Sequence, residues 1–264
     1  MLMEVKNQIK VALLSTKYAL QREMLNKVTF ISNILFMIIN NACFIVQWII
    51  LYSIKEEVGG YSLKQVLLLW GIAASTYGFS RFFFKEAFNL TDTINTGKLD
   101  AYLIQPKNVL ISCVTSGVEV SAIGDFIYGF IMLAFYGISF KSLTLFILFS
   151  ILGGLTIVSI SIIFSSLAFW FGKVEIISNT INSLMINFAT YPDGIFKGFI
   201  KILFYTIIPL GFVNFMPIKI MTEFNVIYML IIVISTFFFI ALAFIIFYRG
   251  LKKYSSSNLM NVRM

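Results

Sequence analysis

The stretch NVIYMLIIVISTFFFIALAFIIFY, residues 225–248, carries no charged side chain and is as long as a membrane-spanning helix. About 20 apolar residues in a helix cross a hydrocarbon core of about 30 Å. The rest of the chain has the same character, because 59% of its 264 residues are hydrophobic, 12% are charged and the mean hydropathy is +0.91. Soluble domains have about a quarter charged residues. The sequence therefore predicts an all-α integral membrane protein with a single domain over residues 1–264.

Five further apolar stretches predict spanning helices, which makes six transmembrane helices in all. They lie at 30–54, 65–84, 117–138, 143–170 and 174–190. Another apolar stretch, 199–216, contains Pro209 and is followed by Pro217, which favours a re-entrant or broken helical element between the fifth and sixth spans. An ordinary seventh span is the alternative, and it would place the two termini on opposite sides of the membrane.

The positions of the basic residues favour the even number of spans. Most of the 20 Lys and Arg residues fall in four segments, 1–29, 81–107, 171–175 and 249–264. The others are Lys55, Lys64, Lys141, Lys197, Lys201 and Lys219. Because loops rich in Lys and Arg stay in the cytoplasm, we expect the four segments and both termini to be cytoplasmic. We interpret the net charge of +8 as this topology signal and expect no nucleic-acid partner.

Residues 1–28 predict an amphipathic helix that lies in the membrane interface. Its apolar residues fall approximately on one helical face, with basic residues among the others: Val5, Ile9, Leu13, Leu20 and Met24. Such a helix is held by apolar burial and by anionic lipid headgroups. The segment has no compact apolar core before a small-residue cleavage site, so we do not interpret it as a secretory signal.

The sequence offers little for chemistry on its own. No G-x-x-x-x-G-K-[ST] phosphate-binding loop is present, since Gly97-Lys98 and Gly172-Lys173 lack the required spacing. Histidine is absent, and Cys43 and Cys113 form no disulfide or metal pattern, which argues against a membrane-embedded enzyme. If ATP drives this protein, a separate polypeptide must hydrolyse it.

Asp125 is a carboxylate inside the predicted third span. An acid at that depth costs about 2.5–3.5 kcal/mol on insertion scales, so it should face protein or water. It is either a cation or proton site or a hydrogen-bonding partner of a neighbouring helix. We identify no intramembrane Lys, Arg or His partner for it, and we therefore weigh the structural role above transport. Glu119 is expected near the cytoplasmic boundary.

Two amide-rich helix faces are the second polar feature. In the first span amides recur every seven residues, at Asn33, Asn40 and Gln47. The fifth span carries amides at Asn179, Asn182 and Asn187. Amides in hydrocarbon need partners, which predicts either contact with other helices or the lining of a pathway. Both hold if these helices meet a second subunit, so we assign the six residues to the pathway or to a dimer seam.

Tryptophan and tyrosine residues near the predicted span ends are typical of interfacial aromatic belts. They are Trp48, Tyr52, Trp70 and Trp170. We assign them no ligand role.

Four stretches together resemble the permease subunits of ABC exporters of the type-2 class. TDTINTGKLDAYLIQPKN, 91–108, is similar to their I-x-x-G-x-[LF]-[DE]-x-[LY]-L-x-x-P segment, and AIGD, 122–125, resembles their ALGD. YPDGIF, 191–196, followed by IIPLGFVNFMP, 207–217, resembles a Y-P-x-x-I-F then I-P-x-x-F-x-x-x-x-P run. The tail YRGLKKYSSSN, 248–258, is similar to the closing R-G-L-x-x-Y-x-S signature. The resemblance covers nearly the whole chain.

The resemblance implies a six-span permease that is not itself an enzyme and binds no cofactor. It would sit on two copies of a cytoplasmic ABC ATPase that hold ATP and Mg, beside a second permease, identical or related, in a bacterial cell membrane. It would export a hydrophobic or amphipathic drug, peptide or lipid. ATPase contact would come from the N-terminal helix and from a coupling helix within 85–107. The segment 191–217 would form an extracellular gate.

Residue by residue, the resemblance assigns two sets. The coupling residues are Gly97, Leu99, Asp100, Leu103 and Pro106. The gate residues are Tyr191, Pro192, Phe196, Pro209 and Pro217. Gln105 stands where the family commonly has Arg, so a charged contact is not expected at that position.

The residue chemistry of the coupling segment agrees with a defined joint. Gly97 permits the left-handed turn that ends a helix, and Pro106 biases Gln105 toward extended backbone. Leu99 and Leu103, four residues apart, can anchor a short turn in the interface. The alternative is a solvated loop in which Gly97 and Pro106 only interrupt the helices and make no functional contact.

Three rival functions stay open. An ion-coupled secondary transporter would need paired discontinuous helices, of which the sequence shows only one. A membrane-embedded enzyme would have few catalytic groups. A non-transporting scaffold or immunity protein fits the composition as well.

Overall fold

A computed structural model describes the backbone of residues 2–255 and the side chains of residues 6–255. Met1, the Val5 side chain and the last part of the tail motif, 256–258, lie outside these described residues. Within them every regular element is helical and no strand occurs, so the all-α prediction is confirmed. The elements are α1 (Leu2–Glu23), α2 (Lys27–Ile54), α3 (Leu63–Phe88), α4 (Leu90–Asn95), α5 (Asp100–Leu103), α6 (Val109–Val114), α7 (Ser121–Tyr136), α8 (Phe140–Ser166), α9 (Ala168–Phe171), α10 (Glu175–Ala189), a 3₁₀ turn (Asp193–Ile195), α11 (Phe199–Leu203), a π-helical turn (Gly211–Phe215), α12 (Met216–Thr222) and α13 (Val226–Leu251).

Four helices in the described part of the chain are long and apolar enough to cross a membrane. They are α2, α3 continued by α4, α8 continued by α9, and α13. The helices predicted over 117–138 and 174–190 exist, but α7 has only 16 residues and α10 only 15. At 1.5 Å per residue each is about 22–24 Å long, less than an ordinary span. The multi-pass membrane protein is confirmed, whereas the count of six spans stays a prediction.

The contacts of α3 define the directions of its neighbours. Gly71 lies against Met132 and Gly78 lies against Ala122, so α7 runs antiparallel to α3. Farther along α3, Ser161 Oγ of α8 donates a hydrogen bond to the Ala87 carbonyl at 3.1 Å. Because Gly71 also faces Phe146, α8 runs parallel to α3. The chain therefore reverses its direction twice between α3 and α8.

The remaining helices continue this alternation. The hydroxyls of Ser165 in α8 and Ser178 in α10 are 2.8 Å apart, and Asn182 Nδ2 donates to Ser161 Oγ at 3.3 Å, so α10 is antiparallel to α8. Helix α13 is parallel to α8 and its continuation α9, because Thr236 bonds Thr156 of α8 and, farther along both helices, Phe247 meets Phe169 of α9 edge-on. Helix α2 is antiparallel to α3, as its short connection over 55–62 requires.

Glycine allows α2 and α7 to approach closely. A Cβ placed on Gly124 of α7 would lie 2.9 Å from the Met37 Cβ of α2, which is closer than side chains pack. Small residues bring helix backbones together in membranes, where packing and hydrogen bonds drive association. Gly124 therefore places the next residue, Asp125, against α2.

The segment between α10 and α13 is not one helix. It contains the 3₁₀ turn, the short helix α11, the π-helical turn and α12, with the Pro209 carbonyl accepting from the Val213 amide at 3.2 Å. Pro209 and Pro217 are both buried. Proline lacks an amide hydrogen, so a straight helix through both positions would lose backbone hydrogen bonds.

The two ends of the helical bundle have different partners. At one end, called the α6 end, the short helices α4, α5, α6 and α9 gather with the last turn of α13 around a buried apolar cluster. At the other, called the Asp193 end, the 55–62 connection meets the 3₁₀ turn, since Tyr61 Oη donates to Asp193 Oδ1 at 2.8 Å. A separate core of apolar side chains fills the space between α3, α7, α8 and α10.

Candidate functional site

A cavity of about 470 Å³, called the central cleft, lies between α2, α3, α7 and α10. It brings together three kinds of side chain from residues far apart in sequence. Its amides are Asn40, Asn41, Gln47 and Asn187. Its aromatic residues are Phe44, Trp48, Trp70, Tyr77 and Tyr191. Its charged residues are Arg81, Glu119 and Asp125.

Asp125 lies on the wall of the central cleft and is 7% exposed. Asn41 Nδ2 of α2 donates a hydrogen bond to Asp125 Oδ1 at 2.7 Å, so a bond between neighbouring helices is present. Among the described residues no donor bonds the other carboxylate oxygen, Oδ2. The carboxylate is thus half satisfied by the protein.

Arg81 is the basic residue that the sequence analysis missed beside Asp125. The distribution of basic residues places it in the cytoplasmic segment 81–107, but α3 continues past it to Phe88 and brings it to the cleft. Arg81 Nη1 donates to Glu119 Oε2 at 2.9 Å, with side chains 30% and 28% exposed. Arg81 therefore lies on the same cleft as Asp125, but its direct partner is Glu119, and among the described residues no Lys or Arg bonds Asp125.

The tryptophans Trp48 and Trp70 are also placed differently from expectation. They are 7% and 8% exposed and line the central cleft, so they do not form an exposed interfacial belt. Trp48 meets Tyr191 edge-on at 5.7 Å between ring centroids, and Trp70 stacks on Phe44 at 6.0 Å. The usable signal was the spacing Asn40, Phe44, Trp48, which puts aromatic rings on the face of the amide stripe.

The two amide stripes do not each form one surface. Asn40, Gln47 and Asn187 line the central cleft. Asn182 is instead buried against Ser161 of α8, where its amide bonds a hydroxyl. The side chains of Asn33 and Asn179 are exposed and lie outside the cleft.

The coupling residues divide into an inward and an outward group. Gly97 has φ of 76°, a left-handed conformation that follows the end of α4. Leu99 is completely buried in the cluster of the α6 end, while Leu103 is 40% exposed and Pro106 is exposed. Asp100 begins α5 and is partly buried. Instead of one coupling helix, 85–107 contains the end of α3 and the short helices α4 and α5.

The tail motif and the coupling motif meet at the α6 end. Leu99 and Tyr102 belong to the same apolar cluster as Phe247 and Tyr254. Burial and the nearby Asp100 carboxylate raise the pKa of the Tyr254 hydroxyl. The chain therefore connects the coupling segment directly with the end of α13.

The Gln8 side chain hydrogen-bonds helix α1 to the α6 end. Gln8 Oε1 accepts a hydrogen bond from the Asn108 amide at 3.0 Å, and Gln8 Nε2 donates to Ser112 Oγ at 3.3 Å. Asn108 also caps α6, because its Oδ1 accepts from the Ile111 amide at 3.0 Å. A cavity of about 800 Å³ separates α1 from the coupling segment beyond this contact.

The gate residues surround a charge cluster that the sequence analysis did not identify. Asp193 is 4% exposed and accepts hydrogen bonds from Tyr61 and from Lys219 Nζ, the latter at 3.0 Å. The signal in the sequence is the acid within YPDGIF, which stands at a variable position of the Y-P-x-x-I-F motif. Burial and Asp193 raise the pKa of Tyr61.

The assigned gate residues pack near this cluster. Phe196 meets Phe204 edge-on at 4.8 Å between ring centroids, and Tyr191 is 46% exposed beside the central cleft. Pro192 and Pro209 are buried, and Pro217 lies at the start of α12. The gate segment thus contacts the cleft through Tyr191.

Comparison with known proteins gives one match. A family model described as "ABC-2 family transporter protein" matches residues 30–258, which is most of the chain. No curated protein and no solved structure matches the chain significantly.

Proposed function

The chain belongs to the ABC-2 family of transporter membrane proteins, and on that premise we propose that it is the permease of an ATP-driven exporter. Its cargo is a hydrophobic or amphipathic compound that leaves through the central cleft. The family supports a permease subunit with an ABC ATPase partner in general. Export, the cargo class and the route are our proposal.

The observation that carries this proposal is the composition of the central cleft. A site of about 470 Å³ lined by aromatic rings, with a few amides and charged groups, has the character of a small-molecule site. An ion pathway would need a different lining, with rings of carbonyls or charges. The cleft lies between helices, where bundles build ligand sites.

ATP-driven motion enters at the α6 end in this proposal. Two copies of an ABC ATPase, carrying ATP and Mg, contact the exposed residues 103–106 and helix α1. The buried Leu99 then passes the motion to α8, α9 and α13, because it packs in the same apolar cluster. The sequence has no phosphate-binding loop of its own, which agrees with a separate ATPase.

A second permease, identical or related, covers the exposed side of α2. Large apolar side chains are exposed along this helix, among them Ile31, Leu35, Phe36 and Ile39. Asn33 lies in the same exposed region, and interhelical hydrogen bonds of amides suit such a seam. Membrane lipids cover the remaining apolar surface.

The topology of the proposal is six crossings of the cell membrane with both termini in the cytoplasm. The alternating directions of α2, α3, α7, α8, α10 and α13 support it. The α6 end faces the cytoplasm and the Asp193 end faces outward, and the re-entrant segment 199–216 is part of the gate segment 191–217. This orientation follows the distribution of Lys and Arg.

Purification with the partner ATPase tests the proposal. The tagged chain is expected to co-purify with an ABC ATPase in mild detergent, and to change its vanadate-sensitive ATPase rate in lipid nanodiscs. Proteoliposomes with both proteins should move cargo only when ATP is present. Cargo flux without ATP, driven by a proton or sodium gradient, would contradict the proposal.

Gradient-driven flux without ATP would favour an ion-coupled transporter, in which the buried Asp125 would bind the coupling ion. Replacing Asp125 by Asn separates the remaining possibilities. Lost transport with intact assembly indicates a site in the pathway. Unchanged transport by the Asp125→Asn variant rejects a role of Asp125 in the pathway. If the native chain assembles fully but transports nothing, it is a scaffold or immunity protein.

A further inference from the structure

The central cleft carries a surplus negative charge. Its three charged residues are Arg81, Glu119 and Asp125, and the first two neutralise each other through a contact of 2.9 Å. Asp125 has only the neutral amide of Asn41 as a bonding partner among the described residues. A buried carboxylate whose only direct partner is a neutral amide is costly in its charged form, and Arg81 is already bonded to Glu119, so a further cation beside Asp125 is stabilising.

The aromatic lining favours the same sign of charge. The faces of Trp48, Trp70 and Tyr77 carry the negative side of the ring quadrupole, which attracts cations and repels anions. Trp70 Nε1 and Tyr77 Oη are buried and have no hydrogen-bond partner among the described residues. These two groups can therefore form hydrogen bonds with a ligand in a largely apolar cleft.

A small metal ion does not suit this arrangement. Calcium takes about 6–8 oxygen ligands and magnesium about six. No group of three or more acidic, histidine or cysteine side chains that could hold a metal is present within the described part of the chain. The size of the cleft also suits an organic molecule.

We infer that the central cleft selects an organic monocation with an aromatic or apolar body. Its charge lies beside Asp125 and its body lies between Trp48, Trp70 and Phe44. This inference rests on the proposed function, because the bound cation would be the exported cargo.

Two probes of the same shape and opposite charge test the selection. Tetraphenylphosphonium and tetraphenylborate are titrated against the purified full-length chain in phosphatidylcholine nanodiscs. Quenching of tryptophan fluorescence and binding of radiolabelled probe are read against empty nanodiscs, which removes partition into lipid. The phosphonium should bind saturably, and the borate should show no saturable binding.

Charge variants give opposite expected shifts. Asp125→Asn removes the surplus charge and should weaken phosphonium binding at least tenfold. Arg81→Gln leaves Glu119 uncompensated and should strengthen that binding at least threefold. Asp92→Asn, an exposed acid at the α6 end, is the matched control and should leave the affinity unchanged. Size-exclusion profiles and melting temperatures check that each variant is folded.

Three results would overturn the inference: equal binding of both probes, unchanged affinity in Asp125→Asn, or weakened affinity in a folded Arg81→Gln protein. If Asp125→Asn does not fold, the Arg81→Gln shift and the comparison of the two probes decide. Binding needs no ATPase, so the outcomes separate. A chain that stimulates its ATPase but ignores charge keeps the proposed function and loses this inference. A chain that binds the phosphonium selectively but has no ATPase partner keeps this inference and loses the proposed function.

Discussion

At the scale of single residues, the coupling motif separates two leucines that look equivalent in the sequence. Leu99 is fully buried and Leu103 is 40% exposed, although both belong to one short segment. Leu99→Ala should lower the free energy of unfolding by about 2–5 kcal/mol, because it leaves a cavity among apolar side chains. Leu103→Ala should change it by less than about 0.5 kcal/mol.

The two variants should differ in the opposite order in ATPase stimulation, where Leu103→Ala has the direct effect. Folded Leu103→Ala should show reduced stimulation, because it removes an exposed contact, whereas Leu99→Ala should act through stability. Denaturant titration and ATPase rates in nanodiscs measure the two quantities. An equally destabilised Leu103→Ala protein would show that this residue is not on a docking surface.

The Asp193 cluster makes a pH-dependent prediction. Tyr61 donates to a buried carboxylate, and its pKa is raised in the folded protein. Its stabilising contribution is therefore complete below the unfolded pKa of about 10 and is lost as the pH rises above that value. Tyr61→Phe should cost about 1 kcal/mol at pH 8.

The difference in melting temperature between the native chain and Tyr61→Phe should shrink at pH 10.5 compared with pH 8. Tyr18→Phe, at a position that is 64% exposed, is the control and should show no difference at either pH. A difference that stays constant across this interval would contradict the role of the tyrosine proton.

Residue contacts were the part of the site that the sequence predicted least. The pattern identified Asp125, Asn40 and Asn187 as polar residues in apolar helices, and all three line the central cleft. It could not pair Arg81 with Glu119, because that pairing depends on how far α3 continues and on where the chain re-enters as α7. Helix ends are decided by tertiary contacts as much as by local sequence.

At the scale of elements, α1 is attached through Gln8. Gln8→Ala removes two hydrogen bonds, to Asn108 and Ser112, each worth about 1 kcal/mol. Amide exchange in α1 and at 107–114 should become about tenfold faster, with α13 unchanged. Asn7→Ala, an exposed neighbour, is the matched control and should leave exchange as it was. Equal effects of the two variants would reject Gln8 as the attachment.

Helix α6 contains a thiol that reports on its packing. Cys113 has no exposed surface, and burial raises its pKa to about 12. The thiolate is the reactive form, so it is scarce at pH 8 and rises about tenfold per pH unit below that pKa. In a Cys43→Ser chain, N-ethylmaleimide should label Cys113 only after denaturation. Rapid labelling of the folded chain at pH 8 would show that α6 opens.

At the scale of the whole molecule, apolar length predicted the position of every major helix to within about one turn. Hydropathy works well because each spanning segment must satisfy its backbone internally. It did not predict that α7 has only 16 residues, since the polar and glycine-containing stretch 115–120 is still compatible with helix. In the structure α6 ends at Val114 and α7 begins at Ser121, so this stretch is not helical throughout.

Helix α7 is shorter than an ordinary membrane span, and we nevertheless expect it to cross the membrane. It runs antiparallel to α3, with Ala122 at the level of Gly78 and Met132 at the level of Gly71, and it continues to Tyr136. A helix of about 24 Å can span if the bilayer thins locally. Helix α8 then returns parallel to α3.

Single cysteines in a Cys43→Ser, Cys113→Ser chain test this topology. A membrane-impermeant maleimide should label cysteines at Glu56 and Ser139 in intact cells, because both positions lie in outer connections of a six-span chain. Cysteines at Lys98 and Lys173 should react only after permeabilisation, since these positions adjoin the α6 end. If Ser139→Cys reacted only in permeabilised cells, α7 would not cross. The alternation of helix directions would then describe packing within one leaflet.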